Sequence, residues 1–160
     1  MNKKSDLYIA LAWITENLNR LDITYQIAGG LAAKCYGSTR PLHDSDIYVP
    51  GKSLSIVEDE LAEYIEFGPK HHKDENWDLV FMKLYYKNQQ IEFGDAENTK
   101  YFDSESQQWI KEEINFSESN LIEFEGIALH VMPKQDLIKY KQRLNRKVDR
   151  IDVKEMQNKA

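Results

Sequence analysis

The segment IAGGLAAKCYGSTRPLHDSDIYV, from Ile27 to Val49, constrains this chain more than any other. It reads as a short strand ending in Gly29-Gly30, then a compact helix-prone stretch stopped by Gly37, then a strand entered through Asp44 and Asp46. Neither turn chemistry nor core packing calls for two adjacent glycines, an arginine and two aspartates one residue apart. A site that holds a metal-bound triphosphate does.

Residues two apart on a strand point to the same face, so Asp44 and Asp46 project together, roughly 6.5–7 Å apart at their Cα atoms. Ile47 and Val49 turn to the core. Two carboxylates on one face repel unless a cation lies between them or one stays protonated. Magnesium suits an all-oxygen donor set and commonly completes its shell with substrate phosphates. A pair of such ions, for which Mn²⁺ can substitute, would clamp both oxygens of a phosphoryl displacement. A lone D-x-D is more often a solvated turn, but here it opens an apolar strand, where charge without a task is costly. Gly29-Gly30, lacking Cβ atoms, would let backbone N–H groups approach phosphate oxygens at the start of the next helix. Arg40 would either reach a phosphate or pair with a nearby acid.

Around this segment the periodicity predicts a helix from about Asp6 to Asn19, with Leu7, Leu11, Ile14 and Leu18 inward and Ser5 as N-cap. A helix capped by Ser53 or Ser55 should run to Tyr64, and the polar GPKHHKDEN should be a loop. Trp77–Tyr86 and Gln90–Phe93 flank Lys87-Asn88 as a β-hairpin, and Glu125-Gly126 marks a second. The stretch from Thr99 to Asn115 reads as helical around SQQWIKEE. Pro133 opens a final helix with a stripe of Leu137, Tyr140, Leu144, Val148 and Ile151. The expected architecture is α/β (α+β): a small mixed sheet with helices on one face. It would form one domain over residues 1–160, with residues 133–158 as a closing C-terminal helical segment.

Charge narrows the partners. The net charge is −6, which argues against a general nucleic-acid coat. Between Lys134 and Arg150, however, seven basic residues stand against two acidic ones, and such asymmetry marks where an anion docks. No apolar run approaches the ~18 residues that span a bilayer, and the N-terminus lacks a signal-peptide pattern. A single cysteine, Cys35, excludes an intrachain disulfide. A cytoplasmic location without membrane contact is expected.

AGGLAAKCYGSTRPLHDSDIYV resembles the signature of the nucleotidyltransferase superfamily related to DNA polymerase beta, in which a Gly-Gly or Gly-Ser turn precedes a D-h-D-h strand start. It is most similar to the small bacterial lincosamide- and aminoglycoside-type nucleotidyltransferases and to their toxin-type relatives. KYKQRLNRKVDRIDV, Lys139–Val153, resembles the K…R-x-K-D-x-x-D helix that closes many of them. Ser45 stands where an aliphatic residue is usual, and His43 where many relatives carry a small or apolar one.

The resemblance implies transfer of a nucleoside monophosphate from an NTP such as ATP to a hydroxyl acceptor, releasing pyrophosphate. The acceptor would be a small molecule, an antibiotic in resistance enzymes, or a tRNA or protein in toxin systems. It implies Asp44 and Asp46 as metal ligands and a third carboxylate on a neighbouring strand as base or ligand. Glu92 is the candidate, because Ile91 and Phe93 alternate with it; Asp95, beyond Gly94, is the fallback. The amides of Gly29 and Gly30, with Arg40 and Lys141, would hold the phosphates. Asp149 and Asp152, among Arg146, Lys147 and Arg150, read as an ion network closing the helix onto the sheet. A non-catalytic nucleotide-binding module is the alternative, and the chain length suggests that a homodimer completes the acceptor pocket. His71 and His72 lack a second ligand pair for zinc.

Overall fold

A computed structural model describes residues 4–159. Helix α1 spans Asp6–Arg20, and Ser5 caps it by accepting the Tyr8 amide hydrogen at 3.1 Å. It buries Ala10, Leu11, Ile14 and Leu18, the stripe that the periodicity requires. Strand β1, Gln26–Ala28, runs directly into α2, Gly29–Cys35. Strand β2, Asp44–Val49, leads to α3, Gly51–Glu60. Strands β3 (Ile65–Lys73), β4 (Trp77–Tyr86), β5 (Gln89–Asp103), β6 (Gln108–Lys111), β7 (Asn120–Phe124) and β8 (Ile127–Val131) follow. Helices α4, Lys134–Leu144, and α5, Lys147–Gln157, close the chain.

One sheet contains every strand. Its order is β3-β4-β5-β2-β1-β8-β7, with β6 paired to β5. The β2–β5 and β1–β8 pairs are parallel and the rest antiparallel, so the sheet is mixed. Ile27, Ile47, Val49, Ile91, Phe93, Met82 and Leu84 form its buried centre. Both expected hairpins are present. Lys87 and Asn88 have φ of 50° and 64°, and Glu125 and Gly126 have 50° and 86°, the paired positive φ of a two-residue turn that follows strand twist.

Four expectations need correction. GPKHHKDEN is no loop: its first six residues lie in β3, an antiparallel edge strand with no fully buried residue, which tolerates charge because one side has no partner. Asp74 makes the turn into β4 by accepting the amide hydrogens of Asn76 and Trp77 at 2.8 Å. The SQQWIKEE region is no helix: β5 runs on to Asp103 and pairs with β6, stacking Phe102 near Trp109 with ring centroids 5.4 Å apart. Helix α3 begins at Gly51 behind Pro50, ahead of either serine. The final helix is two helices. Asn145 adopts a left-handed conformation at φ 54°, and the Ser104 amide and hydroxyl both donate to the Arg143 carbonyl at 2.8 Å, ending α4. Ile151 is consequently exposed, outside the stripe assigned to it.

Between its pairing with β2 and its pairing with β6, β5 carries extra residues opposite β4, where the register jumps from Leu79–Thr99 to Phe81–Gly94. Asp95 organises this bulge by accepting from the Glu97 amide and the Asn98 side chain at 2.9 Å.

Candidate active site

Register builds the site. In the parallel β2–β5 pair Asp46 lies opposite Glu92. In the antiparallel β4–β5 pair Glu92 lies opposite Lys83, and β3 adds Phe67 opposite Lys83. Ala28 of β1 lies opposite Asp46. Directly opposed residues share a sheet face, so Ala28, Asp46, Glu92, Lys83 and Phe67 form one transverse row across five strands. Asp44 projects beside Asp46 from two residues earlier, as the strand period demands. Oxygens of Asp44, Asp46 and Glu92 all lie within 4.8 Å of one another. Asp95, the fallback, is committed to the β5 bulge and does not join them.

Gly29 explains why the row closes so tightly. Its φ is +61°, and a β-carbon there would overlap Oδ2 of Asp46. The glycine is thus required twice, by backbone conformation and by the carboxylate it faces. A β-carbon on Gly30 would come within 2.8 Å of Arg40 Nη2 and Leu42 Cδ2. The Gly29 amide donates to the hydroxyl of Tyr140 on α4 at 2.9 Å, so in this structure that amide already has a partner.

Two of the three carboxylates, Asp46 and Glu92, are pushed upward from their ordinary pKa. Burial, and then the charges of Asp44 and Glu92, push Asp46 well above the ordinary carboxylate pKa. Burial likewise raises Glu92, against the hydrogen bonds it receives, one of them from Gln90 Nε2 at 2.8 Å. Asp46 and Glu92 stand close enough to share a hydrogen bond. An all-oxygen set crowded within 4.8 Å is chemically suited to a hard divalent cation, which would offset the mutual repulsion of the carboxylates.

A cleft of about 540 Å³ surrounds the row. Its sheet side carries Phe67, Trp77, Leu79 and Phe81, and its helix side carries Tyr140, Lys141, Arg146 and Val148. Arg40 and His43 complete the rim. Behind the helix side, Asp149 and Asp152 are fully buried. Lys141 Nζ lies 3.2 Å from Asp149 and 3.1 Å from Asp152. Arg40 donates through Nε and Nη2 to Asp152 at 3.1 and 2.9 Å, and Arg146 through Nε and Nη2 to Asp149 at 2.7 and 3.1 Å. Although burial acts the other way, the bonds from Arg40, Lys141 and Ser38 hold Asp152 below the usual carboxylate range.

The expected ion network therefore exists with different members. Arg146 belongs to it and so do Arg40 and Lys141, whereas Arg150 turns to the Asn145 carbonyl and Lys147 makes no ion pair among the described residues. Lys141, only 2 % exposed, directs its ammonium at the two aspartates rather than into the cleft. Arg40 and Arg146 each keep Nη1 without a protein partner among the described residues. Sequence reasoning does not single out Lys83, Arg146 or Tyr140 as residues that line the cleft. The strand register of Lys83 and the basic tail around Arg146 were the available signals. Burial pushes the Cys35 thiol up to about 11, away from the reactive thiolate form.

No family model and no curated protein matches the sequence. Solved structures do. A Thermotoga maritima protein provisionally described as a nucleotidyltransferase superposes with a TM-score of 0.73 at 16% identity, over 96% of this chain and 93% of that one. The lincosamide antibiotic adenylyltransferase LnuA, in its lincomycin-bound structure, gives 0.59 at 13% identity over 98% and 97%. The antibiotic-resistance factor ANT(2'')-Ia gives 0.58 at 12% identity over 92% and 78%. The chain has the nucleotidyltransferase fold. Among the described residues no helix is long and apolar enough to cross a membrane.

Proposed function

We propose that the chain is a divalent-metal-dependent nucleotidyltransferase, folded as one domain, that moves a nucleoside monophosphate from an NTP to a hydroxyl group. The observation that carries this reading is the convergence of Asp44, Asp46 and Glu92 within 4.8 Å on one sheet face, beside a cleft walled by Arg40 and Arg146. A pair of Mg²⁺ ions held by the three carboxylates would neutralise the triphosphate and polarise its α-phosphorus.

The chain's own residues account for the rest. Arg40 and Arg146, fixed by the buried aspartates behind them, present Nη1 to the β- and γ-phosphates, where charge accumulates as pyrophosphate departs. Lys141 holds those aspartates in place rather than reaching the phosphates itself. Gly30 keeps the backbone low beside Arg40. As the acceptor oxygen bonds to the α-phosphorus, the bond from that phosphorus to the bridging oxygen breaks, and pyrophosphate leaves with the electron pair. Glu92 takes the acceptor's proton.

A small-molecule hydroxyl is the acceptor this cleft favours: its sheet side is aromatic and apolar, and LnuA and ANT(2'')-Ia share the fold. An NTP-consuming reaction of this kind fits a cytoplasmic location. Calorimetric titration with each of the four NTPs, with and without Mg²⁺, on wild type and Asp46→Asn tests the proposal. Mg²⁺-dependent binding that disappears in the variant supports it; indifference to Asp46 overturns it.

A further inference from the structure

Four lysines and arginines line the cleft, and three of them, Arg40, Lys141 and Arg146, are matched to Asp149 and Asp152 within 3.2 Å. Lys83 is the fourth. Among the described residues no carboxylate lies within 4.0 Å of its ammonium. Its Nζ sits 6.0 Å from the Phe67 ring centre and 5.9 Å from that of Phe81, beside two rings whose own centres are 5.0 Å apart, and the residue is half-buried. A cation so placed, in a cleft with Glu92 opposite it on the next strand but no ion pair to it, is arranged for an anion that arrives with the ligand.

The row across the sheet says which part of the ligand that is. Asp46, Glu92 and Lys83 occupy three successive strands at about 4.8 Å spacing. The Gly29 turn, Arg40 and the α4–α5 cations lie at the Asp46 end, and Lys83 lies at the other. A triphosphate laid with its leaving end on the arginines brings its α-phosphorus over the carboxylates and its nucleoside side toward Lys83.

We propose that Lys83 is a catalytic residue that binds a non-bridging oxygen of the transferred α-phosphoryl group. This rests on the nucleotidyl-transfer reading above and adds to it a residue from the β4 strand. Lys83 forms no covalent bond: the acceptor oxygen gains the α-phosphorus, pyrophosphate leaves with the electron pair, and the ammonium offsets the charge shared by the non-bridging oxygens.

The test compares two probes, the nucleoside monophosphate AMP and inorganic pyrophosphate, each titrated with Mg²⁺ into wild type, Lys83→Met and Lys83→Arg by calorimetry. Other nucleoside monophosphates replace AMP if it is not the preferred base. Lys83→Met should lose about tenfold in affinity for the monophosphate. Its affinity for pyrophosphate should stay within about twofold of wild type, and Lys83→Arg should recover most of the loss. Met keeps the apolar stem beside the phenylalanines, and an unchanged melting temperature verifies the fold.

An equal loss for pyrophosphate would place Lys83 at the leaving end and overturn the inference. Unchanged monophosphate binding would overturn it too, as would weaker binding of Mg²⁺ alone, since Lys83 would then serve only to balance Glu92. Wild type that binds neither probe would remove the nucleotidyl-transfer reading, and this inference with it.

Discussion

The amide of Gly29 donates to the phenolic oxygen of Tyr140 at 2.9 Å, tying the C-terminal helices to the turn that faces Asp46. Tyr140→Phe removes the acceptor and leaves a buried N–H unsatisfied, so it should lower unfolding free energy by about 1–3 kcal/mol in urea titration. Gly29→Ala should cost more than Tyr140→Phe. It combines the strain of φ +61° with overlap on Asp46 Oδ2, and it should also abolish Mg²⁺·NTP binding.

Asp152 is the joint on which Arg40, Lys141 and Ser38 converge. Removing it leaves Lys141, 2 % exposed, to share Asp149 with Arg146 and takes the acid from Arg40, so Asp152→Ala should destabilise by about 3–5 kcal/mol. Arg40→Ala leaves Asp152 with two partners and should cost distinctly less. Denaturant melts of the two variants rank them, and the reverse order would contradict this network.

Asp46 is crowded by burial and by two carboxylates. Asp46→Asn should therefore raise the melting temperature of the metal-free protein, while abolishing the increase that Mg²⁺ gives wild type. Because burial raises the pKa of Asp46 and Glu92 above the ordinary carboxylate value, metal competes with protons for these groups. The Mg²⁺-induced rise in melting temperature should therefore grow with pH from 5 to 8, as a calorimetric pH series would show.

Glu112 is buried beside Tyr48, Tyr101 and Tyr140, with Oε2 unpartnered among the described residues. Burial, and then the charge of Asp136, raise its pKa from 4.5 to about 8. Between these values the folded chain holds a proton that the unfolded chain has released, so stability is full below about pH 4.5 and declines as pH rises toward 8. Glu112→Gln should flatten that decline, recovering a few kcal/mol, to order of magnitude, at pH 8. Urea midpoints at pH 5, 6.5 and 8 measure it.

Much of this molecule is written locally. Two carboxylates at strand spacing, a Gly-Gly turn ahead of them, and two-residue turns at Lys87-Asn88 and Glu125-Gly126 depend on a few neighbouring residues, so the core of the site and both hairpins are legible in the chain. What depends on distant partners is not. The strand nature of the polar residues before Asp74 comes from pairing with β4, and that of Gln108–Lys111 from pairing with β5. The break at Asn145 depends on Ser104 reaching back to the Arg143 carbonyl. The side chains of Arg40 and Lys141 look equally able to hold a phosphate or an aspartate. Only the packing of α5 against α2 and α4, which buries Asp149 and Asp152 beneath them, decided the matter. Charge and periodicity identify which groups are present; which of them meet is set by long-range packing, because a buried charge takes whatever partner the tertiary fold brings within reach.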